Sequence, residues 1–138
     1  MPGIMLDSYG RKVTGLRIAL TSRCNLRCLY CHHEGEVEPN GEISDEMVVG
    51  VARAAAALGV RSLKLTGGEP LLRRGLADLI ARMPQDMKIS LTTNGIYLAQ
   101  QAGDLAQAGL GRVNVSLDSL QPEVYRNITG GREGDLER

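Results

Sequence analysis

Phenylalanine and tryptophan are missing from this 138-residue chain, and only four tyrosines stand in for them. An interior without large rings must be filled by Leu, Val, Ile, Ala and Met. An excess of one charge is missing too: 16 basic residues balance 16 acidic ones, for a formal net charge of zero. Nucleic-acid and membrane-surface binders commonly carry a basic excess, so the balance argues against both partners. No apolar run approaches the roughly 20 residues that cross a bilayer, and no secretory pattern follows Met1. The length allows one domain with a real core, and no low-complexity segment interrupts it; only 130–134 reads as polar and loop-like. Cysteine is scarce, three in all, and an odd number argues against a disulfide framework. Reduced cysteines without an export pattern imply the cytoplasm.

What the chain does have is those cysteines in one place, Cys24, Cys28 and Cys31, spaced C-x3-C-x2-C with Tyr30 just before the third. Three thiolates are one short of the usual four for a 4Fe–4S cluster, which leaves one iron open to a small molecule. The competing reading is a tetrahedral Cys3His zinc site completed by His32 or His33.

Short alternating apolar runs recur at 16–21, 60–66, 88–92 and 112–118, with helical patterns between them. Ser44 is placed as an N-cap, with Asp45 and Glu46 favourable in the first turn and Ile43 and Val48 spaced as a hydrophobic staple. Met47, Val48, Val51, Ala55 and Leu58 are expected on one face, and Gly59 ends that helix. Further helices are predicted over 74–83, closed by Pro84, and over 98–108, stopped by Gly109. The next is expected to begin only near Arg138. Such alternation with short connections is the pattern of a parallel sheet. Within the strands, Ile18, Leu20, Leu63, Leu65, Ile89, Leu91, Val113 and Val115 share one parity. Arg17, Lys64, Ser90, Thr92, Asn114 and Ser116 share the other. A parallel sheet covered on both faces would be apolar on both, so a consistently polar face predicts a curved sheet lining a wet lumen. In such barrels the site gathers at the C-terminal ends of the strands.

The second strand runs into Thr66-Gly67-Gly68-Glu69-Pro70-Leu71, where adjacent glycines permit close backbone approach. Taken together, the cysteine run with Tyr30, then a helix, a strand and this GGEP turn, the chain resembles the radical S-adenosylmethionine (SAM) enzymes. In that family SAM chelates the open iron, and the reduced cluster cleaves it to a 5'-deoxyadenosyl radical. Asp7-Ser8-Tyr9-Gly10-Arg11, Arg17, Leu72-Arg73-Arg74, Leu91-Thr92-Thr93-Asn94-Gly95 and Asn114-Val115-Ser116-Leu117-Asp118 narrow the resemblance, from about Leu6 onward. The branch is the GTP 3',8-cyclases of molybdenum cofactor biosynthesis.

The resemblance implies an α/β fold, the first four βα units of a partial (β/α)6 TIM-like barrel. Residues 1–138 would be the N-terminal portion of its radical SAM core. Cys24, Cys28 and Cys31 would hold the 4Fe–4S cluster. Tyr30, Gly68 and Ser116 would contact SAM, with Glu69 a further candidate for its amino group. Arg17, Lys64 and Thr92 would contact GTP. The implied reaction is a lyase-type conversion of GTP to (8S)-3',8-cyclo-7,8-dihydroguanosine 5'-triphosphate, with an unidentified electron donor. The family's second 4Fe–4S cluster needs three further cysteines, which this sequence does not contain. Four strands do not close a barrel, so the chain is expected to be part of a longer protein and not to complete the reaction alone. Val113, Val115 and Leu117 are expected to lack part of their helix cover. Two alternatives stand beside this one: another radical SAM enzyme, peptide-modifying or cofactor-maturing, and a non-enzymatic zinc or iron–sulfur module. Oligomeric state and the roles of His32 and His33 are not legible.

Overall fold

The computed structural model describes residues 3–32 and 42–138. His33 lies outside the described residues. Among the described residues four strands alternate with helices: β1 (Gly15–Ala19), α1 (Asp45–Ala57), β2 (Ser62–Thr66), α2 (Leu76–Ala81), β3 (Lys88–Thr93), α3 (Leu98–Gln107), β4 (Arg112–Val115) and α4 (Pro122–Thr129). A 3-10 turn, Pro70–Leu72, sits between β2 and α2. All strand pairs are parallel and follow chain order, β1-β2-β3-β4. Without a reversal of strand order there is no switch point of the doubly wound kind, and the progression is that of a barrel segment.

The register confirms the parity read from the sequence. Ile18 pairs with Leu65, Leu65 with Leu91 and Leu91 with Val113 on one face, while Arg17 pairs with Lys64, Lys64 with Ser90 and Ser90 with Arg112 on the other. The aliphatic face packs under Val48, Val49 and Ala52 of α1, Leu76, Leu79 and Ile80 of α2, and Leu105 of α3. Aliphatic burial of this kind contributes about 25 cal/mol per Å² and takes the place of the absent aromatic rings.

Three expectations need correction. On α1 the buried stripe is Val48, Val49, Ala52 and Ala55, whereas Met47, Val51 and Leu58 are exposed at 57%, 38% and 43%. Two valines and two alanines take the inward positions, while Met47, Val51 and Leu58 stand toward solvent. Its start is as expected: the Ser44 hydroxyl accepts from the Met47 N–H at 3.2 Å. Second, α2 begins at Leu76 rather than at 74, because Arg73 is extended and Gly75 is left-handed at φ 69°. Third, a helix stands well before Arg138. Pro122 in its first turn, Glu123 behind it and left-handed Gly130 at its end are the start and stop signals that mark α4.

Candidate active site

The cysteine loop leaves β1 and returns to α1, and two polar clasps close its stem. In one, the Glu42 carboxylate accepts from the Thr21 hydroxyl at 2.7 Å and from the Arg23 guanidinium at 2.6 and 3.0 Å. Burial pushes the Glu42 carboxyl up, but hydrogen bonds from Thr21 and Arg23 together hold it below its usual value. In the other, buried Arg73 donates to the Leu20 carbonyl at 2.8 Å, the Ile43 carbonyl at 2.8 Å and the Asp45 carboxylate at 2.6 Å. One guanidinium thus fastens the end of β1 to the approach of α1, a job for its rigid fork.

The Gly67-Gly68 turn docks against the same segment. Gly68 N–H donates to the Thr21 carbonyl and Glu69 N–H to the Arg23 carbonyl, both at 2.7 Å. A Cβ on Gly68 would run into the Arg23 backbone, so glycine is required for the contact. Glu69 is 1% exposed, and its carboxylate accepts from the Leu71 N–H at 3.0 Å, the Thr93 hydroxyl at 2.6 Å and the Asn94 N–H at 2.8 Å. Those bonds tie the turn to the end of β3. Asn94 continues the chain of contacts, donating to the Asn25 side chain at 2.8 Å, inside the cysteine loop.

The other flank is held by α4. Arg27 N–H donates to the Thr129 carbonyl at 2.8 Å and Leu29 N–H to the Ile128 carbonyl at 2.9 Å. Beside them the Tyr30 hydroxyl donates to Asp118 at 3.0 Å, beyond the end of β4. Burial, and then the bond to Asp118, pushes the Tyr30 phenol up.

Cys24 and Cys31 are exposed and Cys28 is half-buried. Burial pushes the Cys24 and Cys28 thiols up. The Leu26 N–H already points at the Cys24 sulfur, at 3.4 Å. Among the described residues, no three His, Cys, Asp or Glu side chains converge as they would on a single metal ion. A four-iron cluster places each cysteine on a separate iron, so its ligands need not converge on one point. Three sulfur donors on a loop fastened on both flanks, with an amide aimed at one of them, fit such a cluster. Thr92 supports a ligand on the polar wall: its hydroxyl oxygen is buried without a hydrogen-bond partner among the described residues. An orphaned polar atom of that kind is costly unless something else satisfies it.

The predicted residues fall into three places. The three cysteines, Tyr30 and Gly68 lie in or against the loop. Arg17 and Lys64 line a cavity of about 430 Å³ on the polar face, with Ser90, Arg112 and Asn114. Ser116 lies one residue past β4, exposed, with its N–H bonded to the Thr93 carbonyl at 2.8 Å. Sequence reasoning passed over Asn25, Arg73, Asn94, Arg112 and α4. Arg73 stood in a quoted motif, yet only its burial marks it as a fastener.

A strand-ordered parallel sheet with a three-cysteine loop after its first strand and GGEP after its second defines the class. The radical SAM superfamily profile matches residues 18–138, and the chain belongs to that superfamily. Members use a 4Fe–4S cluster and SAM as cofactors. An Archaeoglobus fulgidus protein named "Probable GTP 3',8-cyclase" is 59% identical over 130 residues, covering 94% of this chain and 44% of the relative. A Methanosarcina mazei protein of the same name is 52% identical, covering 98% of this chain and 42% of its own length. The chain therefore spans less than half the length of these curated relatives. Among solved structures, Streptococcus suis SuiB bound to S-adenosylmethionine superposes with a TM-score of 0.74 at 21% identity, covering 86% of this chain and 28% of SuiB. BtrN in complex with AdoMet and 2-DOIA superposes at 0.64 and 18% identity, covering 90% of this chain and 54% of BtrN. At those identities the likeness is one of fold.

Proposed function

We propose that this chain supplies the SAM-cleaving and phosphate-binding part of a GTP 3',8-cyclase, acting in the cytoplasm. Residues 1–138 would be the N-terminal portion of its core. One observation carries the reading: a three-cysteine loop sits at the C-terminal end of a sheet whose polar wall presents cations and, among the described residues lining its cavity, no carboxylate. The 46–59% identity to proteins named for that reaction points the same way.

In this reading Cys24, Cys28 and Cys31 hold the cluster. Bound there, the cluster and SAM supply the one-electron chemistry that begins joining ribose C3' to guanine C8. Tyr30, Gly68 and Ser116 border SAM. Arg17 and Lys64 neutralise the triphosphate, and the unpartnered Thr92 hydroxyl bonds the nucleotide. Glu69, a further candidate for the SAM amino group, also ties the turn to β3, and Arg73 holds the loop in place. An electron donor and the further cysteines of a second cluster complete the system.

The test is anaerobic reconstitution of the intact protein. It should yield a cluster with about four irons on these cysteines, and GTP with SAM should give the cyclic nucleotide and 5'-deoxyadenosine. Cys28→Ala should abolish cluster and SAM cleavage together, whereas Lys64→Ala should raise the Kd for GTP and leave uncoupled SAM cleavage intact. Stoichiometric zinc without charge-transfer absorption would sink the iron–sulfur assignment. SAM cleavage by the wild-type protein that never yields a cyclic nucleotide from GTP would leave a radical SAM enzyme of another kind.

A further inference from the structure

The polar wall carries a cation that the sequence reading did not use. Arg17 on β1 pairs with Lys64 on β2, Lys64 with Ser90 on β3, and Ser90 with Arg112 on β4. Three cations and one serine thus form a single transverse row with side chains on the same face. At about 4.8 Å between neighbouring strands the row spans roughly 14 Å, within reach of long side chains converging from its two ends. All four residues line the cavity of about 430 Å³, and small Ser90 leaves its floor open between Lys64 and Arg112. The Ser90 hydroxyl donates to the Leu63 carbonyl at 3.3 Å, which turns its oxygen into the wall. Arg112 is preset: its Nε donates to the Asn114 side-chain oxygen at 3.1 Å, leaving both terminal nitrogens of the fork for a ligand. Among the described residues none of the three cations forms a salt bridge. Like charges in a row repel, and the arrangement is relieved by an anion long enough to touch all of them.

We propose that Arg112 is a phosphate-binding residue that makes this row selective for polyphosphate chains over a single phosphate. A monophosphate satisfies one or two of the cations, whereas contiguous phosphates bridge Lys64 and Arg112 across Ser90. The proposal rests on the polar wall being the substrate wall of the proposed cyclase, but its chemistry concerns the polyphosphate alone.

The experiment is calorimetric titration of the intact protein with inorganic tripolyphosphate, GTP and GMP at low salt. Losing one charge-assisted bidentate contact should weaken tripolyphosphate and GTP on the order of tenfold or more in Arg112→Gln, with much less effect on GMP. Arg112→Lys should recover part of the loss. The wild-type protein gives a second readout that needs no variant. Tripolyphosphate should protect Arg112 from phenylglyoxal, read by peptide mass spectrometry, and GMP should protect it less. Wild-type affinities in Arg112→Gln, or an unprotected Arg112, would overturn the proposal. An unchanged KM for GTP in Arg112→Gln that still forms cyclic product would remove this residue while leaving the cyclase reading intact. Arg112-dependent tripolyphosphate binding in a protein that does not turn over GTP would do the reverse.

Discussion

Glu69 and Arg73 are two buried charges on one turn, and neither is free to meet a ligand with its full bonding capacity. Glu69 holds the turn to β3 through Thr93 and Asn94. Arg73 holds both stems of the cysteine loop through two carbonyls and Asp45. Removing Arg73 leaves those carbonyls short of a partner and Asp45 without its closest cation. Arg73→Ala should cost about 3 kcal/mol in urea unfolding, in line with the loss of several buried charge-assisted bonds. It should also lower the iron retained after reconstitution, whereas Asp45→Asn, whose side chain is one-third exposed, should cost less. An Arg73→Ala protein of wild-type stability would show that the fastener is dispensable. From sequence, Arg73 reads as one of three charged or apolar residues after GGEP, and nothing in its identity distinguishes it from exposed Arg74.

At the scale of elements, the strands were the most legible, because alternation is imposed by a sheet with one wet face and one covered face. The polar parity places Arg17, Lys64 and Thr92 on one wall, and the strand register does the same. The face of α1 was misread because several alanines widen an apolar arc until periodicity no longer picks out its centre. The helix α4 was missed because its buried residues are Tyr125 and Thr129, not an aliphatic stripe. The clasp on Glu42 has a pH signature. Its folded carboxyl lies below the ordinary glutamate value, so its contribution is fully present above that ordinary value and is lost as pH falls through the lowered one. The stability gap between wild type and Glu42→Gln should therefore be constant above about pH 5 and shrink below it. A gap that persists unchanged in acid would remove Glu42 from the clasp.

At the scale of the molecule, the sheet among the described residues has two edge strands, β1 and β4. From the end of β4 onward the aliphatic face is thinly covered: Val115 and Leu117 are each 51% exposed and Leu120 is 79% exposed. This agrees with the thin helix cover read for 113–117, and α4 offers its end to the cysteine loop. An unpaired parallel strand beside exposed aliphatics is a template for association. Val115→Lys should raise the concentration at which this 138-residue chain self-associates, measured by sedimentation velocity. Identical sedimentation of the two proteins would place the contact elsewhere.

The bonds from Arg27 and Leu29 to the last turn of α4 also set an order in time. The cysteines leave the ribosome before their fastenings at Gly68, Asn94 and Thr129, which arrive one after another as synthesis proceeds. At about 5–20 residues per second the thiols wait on the order of seconds with no finished cradle around them. Metal delivered in that interval would meet a loose peptide with the affinities of free thiolates, open to whichever soft ion is most abundant. In the proposed reading, discrimination in favour of iron–sulfur therefore falls to the stage after residue 130 has folded back against the loop.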